Sequence, residues 1–175
     1  LWQHHSAQKY ADKINKLASI KKEPWLKKYG GTVSCEWLFP KVMETLDQAE
    51  EVYNEAYRFI EAGDFIVWRL TGVESRSVCG AGFKALWSDE TGYPSKSFLK
   101  ELDPRLENVV EDKLSCDISK LSQTIGKVSE SASKIYGLSV QTEVKASIID
   151  AHAALPAVGA INAGTLLMII GTSSC

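Results

Sequence analysis

Two segments near the end of the sequence join an apolar run to residues that handle protons and phosphates. The run 144–149 stops at Asp150, and a second run, 166–170, stops at Gly171-Thr172-Ser173-Ser174. A carboxylate at the tip of a buried strand has a fixed position and can accept a proton from a substrate hydroxyl. A turn of glycine, threonine and serine offers hydroxyl and backbone N–H groups to phosphate oxygens. Together the two segments predict phosphoryl transfer.

Each of these features also has an ordinary structural explanation, which the sequence leaves open. Asp150 could cap a helix, and the turn at Gly171 could simply connect two strands. His152 follows Asp150 by two residues, a spacing that suits neither a helical nor a strand-borne metal pair. We therefore expect His152 to be a structural histidine at a helix start, and no metal site is predicted.

Two further residues are candidates for contact with a ligand. Lys84 lies in the segment 73–87, whose small residues suit a backbone that passes close to a ligand or another strand. It is either a surface lysine or a cation that reaches into a site. Trp2 is similarly ambiguous, since large aromatic residues are usually core, although sugar sites often use one as a wall.

The elements that must position these residues follow from helical spacing, caps and breakers. The pattern predicts strands over 144–149 and 166–170 with an alanine-rich helix after Asp150 between them. It also predicts helices that begin at Ser6 and end before Pro24, run from Asp47 to Gly63, and cover 64–72, 95–103 and 129–136. Helices dominate the first two thirds and strand–helix–strand the last third, which indicates an α/β or mixed architecture rather than a helical bundle.

The net charge and the composition limit the kinds of molecule that this protein is expected to bind. The chain has 175 residues and a formal net charge of −2, with a sequence pI near 6.0. This charge gives no reason to expect nucleic acid or an anionic membrane as a partner, so a small-molecule substrate fits better. No apolar stretch approaches the length that spans a bilayer. The cysteines show no paired short spacing, and reduced thiols in a cytoplasm are expected.

The two ends of the sequence suggest a piece of a longer chain. It begins with Leu1 rather than Met and stops after a strand-to-turn transition without a returning strand. A free strand edge could pair with a second copy, which leaves a homodimer open.

The order of the segments resembles the FGGY carbohydrate kinase family. The matching stretches are 61–72, which ends in Leu-Thr-Gly, Gly126-Lys127-Val128, and Asp150 with Gly171-Thr172-Ser173. The stretches 1–8, 82–87, 92–96, 102–110 and 150–159 resemble the members of the family that phosphorylate L-ribulose. The resemblance implies part of an actin-like, ribonuclease-H-like α/β fold that is helix-rich with a few strands. Residues 1–143 would be the back part of the N-terminal sugar-binding domain, and 144–175 the start of the C-terminal domain.

The resemblance also implies roles for individual residues. Asp150 would be the general base and would contact the sugar together with Lys84, and Trp2 would form a wall of the sugar site. Gly171, Thr172 and Ser173 would contact the phosphates of ATP. The adenosine site and most Mg²⁺ ligands would lie outside this chain, so the isolated piece would neither bind ATP tightly nor turn over.

The implied product is L-ribulose 5-phosphate, made in the cytoplasm during arabinose breakdown. Two alternatives stay open. One is a related FGGY kinase that acts on xylulose, ribitol or glycerol. The other is a carbohydrate-binding module without catalysis. The presence of Asp150 argues against this alternative, because a protein that only binds sugar does not need a proton acceptor.

Overall fold

The structure, a computed structural model, describes residues 5–114 and 117–170 and divides the chain into two compact units. The first unit runs up to Glu61 and resumes over 81–117, and the second comprises Ala62–Gly80 and the chain from Ile118 onward. Each unit is therefore built from two separate stretches of sequence. The division after residue 143 concerns membership of the family's domains and stays a prediction.

The described residues are mostly helical. The α-helices are α1 (Gln8–Lys21), α2 (Leu38–Gln48), α3 (Glu50–Glu55), α4 (Ala62–Thr71), α5 (Val78–Lys84), α6 (Lys96–Leu102), α7 (Glu130–Tyr136) and α8 (Asp150–Ala157). The strands are β1 (Arg76–Ser77), β2 (Ile118–Ser119), β3 (Thr124–Lys127) and β4 (Glu143–Lys145). Short 3₁₀ segments cover Pro24–Tyr29 and Pro104–Leu106, and a π-helical turn covers Val110–Leu114. None of the helices described is long and apolar enough to cross a bilayer.

One hydrophobic core holds the first unit together. Helices α1, α2 and α6 each bury one stripe of apolar residues spaced three and four apart, as amphipathic helices do. At its centre the ring of Trp25 meets that of Phe98 edge-on, with the ring centroids 5.4 Å apart. The residues of the stripes are Ala7, Ala11, Ile14 and Ala18 next to and within α1, Phe39, Val42, Met43 and Leu46 in α2, and Phe98, Leu99 and Leu102 in α6.

The helix predicted from Asp47 to Gly63 forms only over Glu50–Glu55, as α3, so both of its predicted ends are wrong. Asp47 lies inside α2, and its carboxylate accepts hydrogen bonds from Tyr10 Oη (2.6 Å) and Lys9 Nζ (3.0 Å) instead of capping a new helix. The backbone then breaks at Ala49 (φ −148°, ψ 61°), and α3 ends at Glu55. Asp47 therefore takes part in a tertiary contact with Tyr10 and Lys9, although the local pattern predicts that it caps a helix.

The second unit is organised around α4, which confirms the helix predicted over 64–72. Strands β3 and β4 form an antiparallel hairpin in which Gly126 pairs with Val144. The hairpin approaches α4 closely, because a Cβ on Gly126 would lie 3.3 Å from Thr71 Cβ. Strands β1 and β2 pair in parallel in the same unit, with Arg76 opposite Ile118.

Two capped helices follow their predictions. Ser95 caps α6 and Ser129 caps α7, each through its Oγ, which accepts the N–H of the third residue on at 3.2 Å. Gly137 ends α7 in the left-handed conformation (φ 70°). Helix α1 also forms where predicted, but its N-cap is Ala7, one residue after Ser6.

Both predicted strands near the end of the chain need correction. Over 144–149 the ladder stops at Lys145, and one further hydrogen bond, from the N–H of Ala146 to the carbonyl of Gln123 (3.2 Å), follows it. Over 166–170, within the part of the chain described, only Ile170 forms a bridge, and no strand is assigned to 166–169. A strand needs a neighbour for its backbone N–H and C=O groups. The described residues supply no such neighbour to 166–169, and Leu166 is 84% exposed.

Candidate active site around Asp150

Asp150 is the first residue of α8. Its Oδ1 accepts a hydrogen bond from the backbone N–H of Ala151 (2.8 Å), and its side chain is exposed. A carboxylate in the first turn interacts favourably with the helix dipole. The structure thus confirms the helix-start position, and it leaves the carboxylate open to solvent. Its role as a base stays a prediction.

A buried carboxylate anchors the segment that leads into α8. Asp64, only 2% exposed, accepts hydrogen bonds at Oδ1 from the hydroxyl of Ser147 (2.6 Å) and the backbone N–H of Ser77 (3.0 Å). The hydroxyl of Ser77 in turn donates to the backbone carbonyl of Ser147. Burial raises the pKa of Asp64, while these hydrogen bonds and the charge of Arg76 act in the opposite direction. This network explains why strand β4 ends early, since Ser147 bonds to Asp64 instead of continuing the ladder.

A second contact holds the chain just after Asp150, at His152. Cys79 Sγ lies 2.9 Å from His152 Nδ1, and Cys79 is 4% exposed. Burial raises the pKa of the Cys79 thiol, against a weaker opposing hydrogen bond with the backbone of Ile149. The contact gives His152 a partner within the second unit. The predicted place of His152 at a helix start is confirmed, because it lies in the first turn of α8. Its structural role stays a prediction.

Lys84 is the last residue of α5 and is half-buried. Its ammonium makes no hydrogen bond or ion pair with residues 5–114 or 117–170. Lys84 belongs to the first unit and Asp150 to the second, and each is described within its own unit. The assignment of Lys84 to a sugar site stays a prediction.

The turn after Lys84 is strained. Leu86 has a positive φ of 58° and is 2% exposed. Bulky residues rarely adopt this left-handed conformation, which costs about 1–3 kcal/mol and persists where the surrounding packing enforces it. Here the N–H groups of Ala85 and Trp87 both donate to the carbonyl of Ala81 at 3.1 Å, which fixes the end of α5.

Several predicted site residues lie outside the described residues. These are Trp2, Gly171, Thr172 and Ser173. No group of three or more histidine, cysteine or acidic side chains in the described ranges converges to hold a metal ion. His5 is exposed, and its Nε2 lies 3.1 Å from Glu36 Oε1.

The buried supports of Asp150 were missed by sequence reasoning. Asp64 was interpreted only as a helix start, and Ser147 as part of an apolar strand. Two signals were present in the sequence. A serine inside an apolar run needs a hydrogen-bonding partner once it is buried, and a glycine next to an acidic residue at a helix start permits close approach of another segment.

Comparison with curated proteins identifies relatives along the whole chain, although no protein-family model matches it. The chain is 43% identical over 175 residues to a ribulokinase from Bacillus licheniformis and 45% identical to a ribulokinase from Halalkalibacterium halodurans. Both alignments cover 100% of this chain, but only 32% and 31% of the relatives. The chain therefore spans about a third of the length of the curated relatives it matches.

Solved structures share the fold. A ligand-bound xylulose kinase from Lactobacillus acidophilus superimposes with a TM-score of 0.77 at 17% identity and covers 99% of this chain. A gluconate kinase from the same organism gives 0.69 at 19% identity and covers 94%. The chain spans 34% and 32% of these two proteins. The chain is thus similar over its whole length to about a third of a ribulokinase, and its fold is that of part of a sugar kinase.

Proposed function

We propose that the full-length protein containing this chain transfers the γ-phosphate of ATP to L-ribulose and forms L-ribulose 5-phosphate. The observation that carries this proposal is the similarity to ribulokinases, which extends over all 175 residues at 43–45% identity in two relatives. The fold supports a sugar kinase in general, and the sequence similarity supports the pentulose. Arabinose breakdown is the proposed pathway, and the cytoplasm, where ATP is made available to such enzymes, is the proposed compartment.

Asp150 is the proposed general base. It would accept the proton of the primary hydroxyl of L-ribulose as that oxygen attacks the γ-phosphorus and ADP leaves. In phosphoryl transfer most of the rate enhancement comes from positioning and from stabilisation of charge. An exposed carboxylate at the start of a helix that is tied down on both sides is suited to this role.

The other proposed contacts follow the family resemblance. Lys84 would hydrogen-bond the sugar, Trp2 would wall it, and Gly171, Thr172 and Ser173 would contact the phosphates of ATP. Mg²⁺ would shield the phosphate charge, but no residue of this chain is proposed as its ligand. Pairing with a second copy stays a prediction, which sedimentation of the full-length protein tests.

A related pentulose is the second candidate substrate. The xylulose kinase named above covers 99% of this chain in structure, yet its 17% identity supports the fold alone. A substrate panel of L-ribulose, D-xylulose, ribitol and glycerol, assayed for ADP release by the full-length protein, separates these possibilities. A kcat/KM highest for any compound other than L-ribulose would refute the proposed substrate.

The role of Asp150 is tested with Asp150→Asn in the full-length protein. Asparagine keeps an oxygen for the Ala151 N–H but cannot accept the proton, so kcat should fall by about 10²–10⁴-fold. Calorimetric titration should show L-ribulose binding within about twofold of the wild type. Glu130→Gln is the matched control, because Glu130 is an exposed acidic residue at the first position of α7. Full turnover by Asp150→Asn would refute the base.

A further inference from the structure

The carboxylate of Asp64 is buried and serves the segment in front of Asp150. A carboxyl group with 2% exposure is costly to bury unless it is hydrogen-bonded. Oδ1 of Asp64 accepts two hydrogen bonds, one from the hydroxyl of Ser147 itself and one from the backbone N–H of Ser77, which also holds residue 147. Ser77 also binds the carbonyl of Ser147 through its hydroxyl. Residue 147 is therefore fixed at both its side chain and its backbone.

Gly63 provides independent evidence that the space next to Asp64 accommodates Ser147. A Cβ on Gly63 would lie 2.9 Å from Ser147 Cβ and 3.0 Å from its Oγ. Contacts this short do not occur between real side chains, so any larger residue would push Ser147 away from α4. The absence of a side chain at 63 thus lets Ser147 reach the carboxylate of the next residue.

The second tether lies on the other side of Asp150. Cys79 Sγ contacts His152 Nδ1 at 2.9 Å, in the first turn of α8. The chain is consequently held three residues before Asp150 and two residues after it. In the described ranges the carboxylate of Asp150 accepts a hydrogen bond only from the adjacent N–H of Ala151. A rigid support with an uncommitted reactive group is the arrangement that precise catalytic positioning requires.

We propose that Asp64 is a positioning residue, which acts through Ser147 to fix the place of the Asp150 carboxylate. This inference rests on the proposed role of Asp150 as the base. Because a displacement of about 1 Å at a reacting group can cost about 10²-fold in rate, loosening the tether should lower kcat. The KM for the sugar should change little, since sugar contacts from elsewhere are retained.

Two variants of the full-length protein test the tether. Ser147→Ala removes the hydroxyl that bonds Asp64, and Gly63→Ala displaces Ser147 without changing any polar group. The matched control is Ser129→Ala, which removes the cap of α7 in the same unit at a cost of about 1 kcal/mol. We expect kcat to fall tenfold or more in both tether variants, with KM for L-ribulose within twofold of the wild type. The control should keep both constants.

Hydrogen exchange followed by mass spectrometry gives a readout that does not depend on activity. Amides 149–153 should exchange faster in Ser147→Ala and Gly63→Ala, whereas Ser129→Ala should accelerate only 130–137. If one tether variant fails to fold, the other carries the test.

The outcomes separate this inference from the proposed function. Unchanged kcat in a folded tether variant with faster exchange at 149–153 would overturn the positioning role and leave the base intact. Unchanged exchange would overturn the tether itself. An equal fall of kcat in Ser129→Ala would show that any loss of stability in this unit lowers kcat, and it would also overturn the positioning role. An active Asp150→Asn would refute the base, whatever the exchange shows.

Discussion

The most informative perturbation is the replacement of Asp64 by alanine and, separately, by asparagine. Alanine leaves the N–H of Ser77 and the hydroxyl of Ser147 without their acceptor, and Ser77 is 1% exposed. An unsatisfied buried donor costs about 1–3 kcal/mol, and the hydroxyl of Ser147 is only half-buried, so the free energy of unfolding of the second unit should fall by about 1–3 kcal/mol. Asparagine keeps the accepting oxygen and should lose about 1 kcal/mol or less.

The pH dependence of the same pair has a defined sign. Burial raises the pKa of Asp64 above its usual value, so the folded unit binds the proton more tightly than the unfolded chain does. The stabilisation from this group is complete below the unfolded pKa and is lost as the pH rises through the folded pKa. The advantage of wild type over Asp64→Asn should therefore shrink from pH 4 towards pH 7. The difference in free energy of unfolding between wild type and Asp64→Asn removes the pH dependence of groups that both proteins share. One such group is Glu143, whose pKa is lowered by Lys145.

Hydrogen exchange of α4 and of the β3–β4 hairpin measures this free energy in the second unit alone. Global unfolding curves would mix the two units, for which two-state behaviour is not assured. Exchange rates are compared after correction for the intrinsic pH dependence of amide exchange. Protection in Asp64→Ala equal to that in Asp64→Asn would refute the unsatisfied-donor reasoning. A wild-type advantage that grows with pH would refute the sign.

Two predictions concern the first unit. Asn15→Ala removes a reciprocal pair with the backbone of Val33, in which the N–H of Val33 donates to Oδ1 (2.7 Å) and Nδ2 donates to the carbonyl (3.1 Å). It should lower the free energy of unfolding of the first unit by about 2–4 kcal/mol. Hydrogen exchange of α1 measures this loss, and protection equal to that of the wild type would contradict it. Phe98→Ala empties a site that is 1% exposed against Trp25 and should cost about 3–5 kcal/mol. Hydrogen exchange of α6 checks it, and a loss below 1 kcal/mol would show that the cavity closes.

The sequence was sufficient where an element is determined by its own ends. Helix α7 was predicted with its serine cap and its glycine stop, and α4 from an aspartate and a glycine on either side of an apolar run. These signals act within one turn and do not depend on distant residues. The residue pattern indicated Asp150 and Lys84 as candidates, and the family resemblance added their expected roles. The structure places each of them at the end of a helix.

The sequence was insufficient where a distant residue competes for a local role. Asp47 looks like a cap, but Tyr10 and Lys9 use its carboxylate. Ser147 looks like part of a strand, but its partner Asp64 is 83 residues away in the chain. Local patterns carry no information on such long-range pairings, and the supports of the candidate site belong to this class.

Leu86 shows how the end of α5 is controlled. Many chains use glycine at a turn that needs a positive φ. This chain uses a leucine that is 2% exposed, so the packing of its side chain holds the backbone in the left-handed conformation. The direction in which the chain leaves Lys84 is thereby coupled to how well the leucine fits its hydrophobic surroundings. A substitution deep in the first unit that enlarges this pocket would let the turn unwind and would alter the reach of the lysine ammonium without touching it.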